Sequence, residues 1–315
     1  MKHTKRLLVV GELNVDIILN GIQGFPELEK EKIAESMTIS LGSSSAIMAA
    51  NSSVLGTATS FCGITGDDSF GKFLIDELRS KGVDTQYISK WKDHKTGATI
   101  VMNYGIERAN ISYCGTMEFL TMEAIPWKEL GSFDHLHISS IFLQKGLRKD
   151  IGTILKRAKD KGLTTSLDIQ WDPEEKWDFN YRECLPLVDV FLPNKKELLA
   201  LTQSPDIETG LDQLKAHGNW IAIKLGEEGS MGYADGKTIR CPAYKNPEYV
   251  DSIGAGDSFN AAFIKKFLSG AEPRECLEYG NLMGALNTSS VGGTGAFESL
   301  EGVRQKVKSL FNFKT

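Results

Sequence analysis

Short apolar, β-branched runs alternate with stretches of helical period along almost the whole chain. The runs at 7–11, 59–64, 135–139, 164–169, 188–192 and 220–225 are mostly near-continuous in apolar character, which predicts strands covered on both faces. Helical spacing recurs at 46–55, 69–81, 147–161, 195–202, 208–217 and 258–268, and twice more at 273–288 and 300–310. Strand and helix alternating in this way predict an α/β fold, a doubly wound, mostly parallel sheet flanked by helices. No low-complexity segment, tandem repeat or Pro-rich linker divides the chain, so a single domain over 1–315 is expected.

Two regions break the rhythm. Residues 12–40 hold polar, strand-like material where a crossover helix would be expected, and 96–114 read as a hairpin around Gly105–Arg108. From the residues alone a pair of surface hairpins is one reading, and a sheet lid over a site is the other.

Composition narrows the function classes. Hydrophobic residues make up 41% of the chain and charged residues 24%, the balance of a soluble globular protein. A net charge of −5 offers no basic face for nucleic acid. No apolar run approaches the ~20 residues that span a bilayer, so no membrane partner is expected. Lys2, Lys5 and Arg6 give the basic start of a signal peptide, but Gly11, Glu12 and Asn14 interrupt the apolar stretch at once, as in a first buried strand. Five widely spaced cysteines, Cys62, Cys114, Cys184, Cys241 and Cys276, show no metal or redox spacing and read as reduced thiols of a cytoplasmic protein. His135 and His137 share a strand face without a third ligand nearby, which favours a structural role over a metal pair.

The chemistry concentrates at 251–259, Asp-Ser-Ile-Gly-Ala-Gly-Asp-Ser-Phe, directly before a helical stretch. Amides at a helix start lack intrahelical partners, and the dipole adds partial positive charge there. Gly254, Ala255 and Gly256 leave those amides open to an anion. Asp257 at the mouth of an anion site is placed to take a proton from an attacking hydroxyl; the plainer alternative is a capped turn. This nonapeptide resembles the C-terminal signature of the ribokinase-like (PfkB-type) carbohydrate kinases, with Ser252 where Thr is usual. The resemblance covers roughly 6–305. It implies that Asp257 is the catalytic base, that 254–256 form an anion hole for the γ-phosphoryl group of ATP, and that the insertions at about 12–40 and 96–114 form a small β-sheet lid over a sugar site. Such a lid is a candidate homodimer surface.

Other segments gain roles from the same resemblance. Asp16, after the first strand, corresponds to the family's sugar-binding aspartate, with Asn14 beside it. Gly42 and Ser43 stand in the N-terminal signature and are expected substrate contacts, whereas Ile47 replaces a frequent Asn. Gly63–Gly71 reads as a strand-to-helix turn with an acidic cap. Asn194 and Glu197 match an Asn-x-x-Glu element that organises Mg²⁺ through water; by spacing alone they also form a capping box. Lys224, Gly226 and Gly229 after a buried strand, and Asn281 and Gly284 near the C-terminus, match nucleotide-lining positions; strand-end solvation and tight helix packing are the competing accounts. Gly236-Lys237-Thr238 imitates the end of a P-loop, but Met231 stands where its first glycine belongs. The implied cofactors are ATP and Mg²⁺, with a monovalent cation such as K⁺ in some relatives. The expected activity is γ-phosphoryl transfer to a hydroxymethyl oxygen of a fructose-, ribose- or keto-sugar-acid-like acceptor. Alternatives are a nucleoside or vitamin kinase of the same fold, or a non-catalytic sugar or nucleotide sensor.

Overall fold

The computed structural model of the chain describes residues 4–104 and 107–313. Gly105 and Ile106, at the tip of the expected hairpin, lie outside the described residues. The strands are β1 (Arg6–Val10), β2 (Asn14–Asn20), β3 (Ser36–Leu41), β4 (Ala58–Gly66), β5 (Asp84–Trp91), β6 (Gly97–Tyr104), β7 (Glu107–Tyr113), β8 (His135–Ser139), β9 (Thr164–Asp168), β10 (Val190–Phe191), β11 (Trp220–Lys224), β12 (Ser230–Ala234) and β13 (Lys237–Cys241). The α-helices are α1 (Ser44–Val54), α2 (Ser69–Ser80), α3 (Lys145–Arg148), α4 (Ile151–Asp160), α5 (Tyr181–Cys184), α6 (Lys195–Thr202), α7 (Ile207–Lys215), α8 (Ala255–Leu268), α9 (Pro273–Asn287) and α10 (Leu300–Phe311).

Nine strands form the main sheet in the order β13-β12-β11-β10-β9-β8-β1-β4-β5, parallel throughout except at β12, which is antiparallel to both neighbours. Alternate residues of β1 feed two cores: Leu8 and Val10 join the one that includes α4 and α7, while Leu7 and Val9 join the one that includes α1, α8 and α9. Burial on both faces is the expected outcome, and it fills the strands with aliphatics. The sheet is wider than the apolar pattern predicts. Edge strand β5 carries Gln86, Ser89 and Lys90 on exposed positions, so its pattern is weak. The β12–β13 hairpin turns on Asp235-Gly236, with φ +52° and +77°, a two-residue turn favoured by Asp-Gly. The P-loop imitation at 236–238 is therefore a hairpin turn leading into an edge strand. The single helix expected at 147–161 is two, α3 and α4.

A second sheet, β3-β2-β6-β7, is built from the two irregular regions and forms the expected small sheet. β2 pairs antiparallel with β3 and parallel with β6, and β6 pairs antiparallel with β7. Its register puts Asp16, Thr99 and Ser112 on one face, and Ile17, Ile39, Ile100 and Ile111 on the other. Ile18 and Val101 of the polar face form a small core with Ile253, which presses this sheet onto the loop before α8. Asp68 caps α2 through Gly71 N at 2.8 Å, as the acidic-cap reading expects.

Candidate active site

Helix α8 begins directly after Gly254, whose φ is +74°. A Cβ there would lie 2.4 Å from Gly293 Cα, so conformation and space both require glycine. Asn287 Nδ2 donates to Ile253 O (2.5 Å), and Asn51 Nδ2 of α1 donates to Ser258 Oγ (2.9 Å) and Gly293 O (3.0 Å), clamping the turn between α1 and α9. The helix starts three residues earlier than its apolar pattern suggests, because Ala255 and Gly256 add nothing to the periodicity. Ala255, Gly256 and Asp257 are thus its first turn, and only Gly254 is the left-handed residue. Helices α1, α2, α6, α7 and α10 are capped by the side chains of Ser43, Asp68, Asn194, Asp206 and Ser299. Helix α8 has no side-chain cap. Ala255 N closes the turn onto Ser252 O at 3.3 Å, which leaves the next amides facing out for an anion.

Asp257 is only 8% exposed. Gln170 Nε2 donates to Asp257 Oδ1 (3.2 Å) and to Asp168 Oδ2 (3.0 Å). Asp168 ends β9 fully buried and also accepts from Lys224 Nζ (2.7 Å) and Asn260 Nδ2 (2.5 Å). The Lys224 side chain runs past the anion turn: a Cβ on Gly256 would lie 3.6 Å from its Cδ and 3.8 Å from its Nζ. Burial, reinforced by the charge of Asp168, pushes the Asp257 carboxyl up to about 8, against the pull of Lys224. Burial lowers Lys224, yet Asp168 and Glu197 hold it above the ordinary lysine value.

Asn194 and Glu197 form a complete capping box on α6. Asn194 N and Nδ2 donate to the two Glu197 oxygens at 2.8 and 2.5 Å, and Glu197 N returns a bond to Asn194 Oδ1 at 2.9 Å. A backbone β-bridge from Asn194 to Lys224 sets this helix start beside the end of β11. Burial and then Asp168 push Glu197 up to about 7. Among the described residues, no group of three or more His, Cys, Asp or Glu converges as a metal cage. Three carboxyls, those of Asp168, Glu197 and Asp257, nevertheless act on the single ammonium of Lys224. Carboxyls that outnumber the ammonium, and that burial holds partly protonated, fit a hydrated cation arriving with phosphates.

On the lid side, Asn14 Nδ2 donates to Asp16 Oδ1 (3.0 Å) and Thr99 Oγ1 (3.1 Å). A Cβ on Gly42 would fall 2.3 Å from Asp16 Oδ1, so Gly42 makes room for this carboxylate. Burial pushes Asp16 up to about 7, opposed by the Asn14 bond and by Arg108. Ser43, at φ +67°, donates to Glu12 O (2.6 Å) and accepts from Ala46 N (3.0 Å), so its hydroxyl serves the start of α1. Ile47 packs on the anion turn; a Cβ on Gly293 would meet its Cδ1 at 2.3 Å. The charge of buried Glu12 raises both Asp16 and Asp257.

The remaining expected positions divide. Gly226, at φ +62°, faces open space beside Lys224. Gly229, at φ +91°, is pressed on the backbone of 241–243. Asn281 Nδ2 donates to Cys241 O (3.2 Å) and Pro242 O (3.1 Å), and Gly284 lets α9 approach Ala255 O. Packing accounts for these last three as they stand. His135 and His137 are buried in β8 and bonded to Ser166 Oγ, each at 2.7 Å, a structural role. Pattern reading missed Asp168, Asn260 and Glu12 as members of the site. Asp168 at the carboxyl end of a buried strand, and Asn260 one turn after Asp257, were the available signals.

The family model for pfkB family carbohydrate kinases matches residues 4–300. The chain belongs to the pfkB family of carbohydrate kinases. As a member of that family it is a sugar kinase, an ATP-binding transferase with a ribokinase-like fold. It is 29% identical over 294 residues to an ATP-dependent ribose-1-phosphate kinase of Halopiger xanaduensis, covering 92% of this chain and 94% of that one. Its fold is that of Arabidopsis thaliana ribokinase solved with ribose and ATP, with TM-score 0.82, 24% identity and coverage of 97% and 99%. An E. coli protein described as ribokinase II, solved with ATP and Mg²⁺, superposes with TM-score 0.84, 23% identity and coverage of 98% and 100%. Among the described residues no helix is long and apolar enough to cross a membrane.

Proposed function

We propose that this sugar kinase moves the γ-phosphoryl group of ATP to a hydroxymethyl oxygen of a small fructose-, ribose- or keto-sugar-acid-like carbohydrate. The observation that carries the reading is the convergence of an uncapped helix start, a buried carboxyl and an ammonium at Asp257 and Lys224. Asp257 takes the proton of the acceptor hydroxyl, whose oxygen attacks the γ-phosphorus in line. The bond to the β,γ-bridging oxygen breaks, and ADP leaves with its electron pair. First-turn amides of α8 hold the developing charge, and Lys224 turns from Asp168 towards the phosphates. Asn14, Asp16 and Gly42 position the acceptor, because a buried carboxylate beside an amide suits a pair of sugar hydroxyls. Asn194 and Glu197 would hold Mg²⁺ through water, and the ion supplies charge neutralisation when bound.

The apolar outer face of the lid sheet supports a homodimer through the lid, since Ile39, Ile100 and Ile111 lie side by side and exposed there. Five free cysteines, four of them buried, fit a reducing cytoplasm. A coupled ADP-release screen across sugars, sugar acids, sugar phosphates and nucleosides tests the reading, and exchanging K⁺ for Na⁺ in it reads monovalent-cation dependence. ADP release above the acceptor-free rate on a carbohydrate is the expected result. Turnover confined to nucleosides would overturn the acceptor class.

A further inference from the structure

The polar face of the lid carries a cation that the phosphoryl-transfer step does not use. Arg108 lies in β7 opposite Asn103, on the face that also holds Asp16, Thr99 and Ser112. With Asn20, Asn103, Tyr249, Asp251 and Ser252 it lines a cavity of about 250 Å³ between the lid and the loop before α8. Asp251 and the Asn103–Asn20 pair beside it are engaged elsewhere. Both Asp251 oxygens accept backbone amides, Ile253 N at 2.8 Å and Gly292 N at 2.9 Å. Asn103 Nδ2 donates to Asn20 Oδ1 at 2.8 Å. Arg108 reaches only Ser252 Oγ, at 3.4 Å, and no ion pair joins it to a carboxylate among the residues whose side chains are described. A guanidinium presents five donors in a fork that matches a carboxylate or phosphate. This one bonds Ser252, in the segment that ends at Asp257, and its charge reaches Asp16.

We propose that Arg108 is the anion-reading residue of the acceptor pocket, and that the acceptor is a small polyol bearing a carboxylate or phosphate away from the hydroxyl that reacts. This rests on the phosphoryl-transfer reading above. The reacting end lies between Asp16 and Asp257, and the charged end lies under the lid against the guanidinium. A neutral sugar would leave the fork to water, whereas an anionic one would bring a charge-assisted pair out of bulk solvent as the lid closes.

The test compares kcat/KM for three acceptors on one carbon skeleton: the neutral sugar, its sugar acid and its sugar phosphate. It is run on the wild type, Arg108→Gln and Arg108→Lys, with thermal melting of each. The wild type should prefer one anionic acceptor over the neutral sugar, and which one identifies the head group. Arg108→Gln should reduce that preference about 10–100-fold, the worth of a charge-assisted pair, and Arg108→Lys should keep part of it. A wild type that favours the neutral sugar, or a preference that survives Arg108→Gln, overturns the subsite and leaves the kinase mechanism standing. No turnover on any acceptor would overturn both together.

Discussion

The two sheets of this protein dispose their apolar residues in opposite ways. In the main sheet, apolar residues fill both faces, helices cover both, and polar groups gather at the carboxyl ends of the strands, where Glu12, Asp168 and Lys224 stand. In the lid sheet, one face is polar and lies towards the site, and the other is apolar and open, with Met37 at 62% and Ile111 at 60% exposure. A sheet in a folding core hides its apolar side from water; this one turns its polar side inward and leaves its apolar side exposed. On the proposed mechanism the main sheet supplies rigidity and the reacting groups. On the same proposal the lid sheet supplies recognition, and it packs on the rest of the chain through Ile18, Val101 and Ile253.

Substitutions in the two regions should therefore fail differently. The largest effect is expected at the main sheet's anion turn. Gly254→Ala puts a Cβ 2.4 Å from Gly293 Cα at a φ of +74°, so the turn must shift. A misplacement of about 1 Å costs on the order of 10²-fold in kcat, with a lower melting temperature. A kcat within threefold of wild type would show that the amides are not holding charge. At the junction of the sheets, Asp16→Ala removes a carboxylate that can accept two hydroxyl bonds. Acceptor affinity measured by calorimetry should fall at least about tenfold, while a non-hydrolysable ATP analogue should bind as before. Equal weakening of both ligands would indicate a folding defect instead. On the lid's outer face, Ile111→Glu should shift a wild-type dimer to monomer in sedimentation velocity, with the smallest change in kcat of the three. A wild type that sediments as a monomer would remove the dimer proposal.

Much of the main sheet was legible because helices and buried strands write their periods directly into the apolar pattern. Helix α6 falls where the pattern puts it, and α2 ends one residue early. What the pattern hid are elements whose periods are diluted: exposed β5, the short β12–β13 hairpin, and the first turn of α8, built from Ala and Gly. The site was legible where a residue type is unusual for its position, as with Asp257 in an anion turn or Asp16 past a buried strand. It was less legible where side chains act through each other. Asp168 gathers Lys224, Asn260 and Gln170 from three places in the chain, and no local spacing announces that convergence. Arg108 was named only as the end of a turn, because its importance lies in which face of β7 it occupies.

Asp257 also sets a pH signature. Burial holds its carboxyl near 8, against an ordinary value of 3.8. In the folded protein it keeps its proton across that interval while the unfolded chain has lost it. Its contribution to stability is therefore full below about pH 4 and is lost as pH rises through about 8. On the proposed mechanism Asp257 becomes competent as a base as it ionises in the ligand-free enzyme, so kcat/KM should climb towards that same pH. Replacing it with a carboxamide should stabilise the ligand-free protein more at pH 8 than at pH 5.

The most direct test of the account is Asp257→Asn, measured twice at pH 8: nucleotide affinity by calorimetry and kcat by coupled ADP release on the best acceptor. The account predicts affinity close to wild type, because the amides and Lys224 remain, with kcat lowered by about 10²–10⁴-fold for loss of a general base. Near-wild-type turnover with intact nucleotide binding would contradict it.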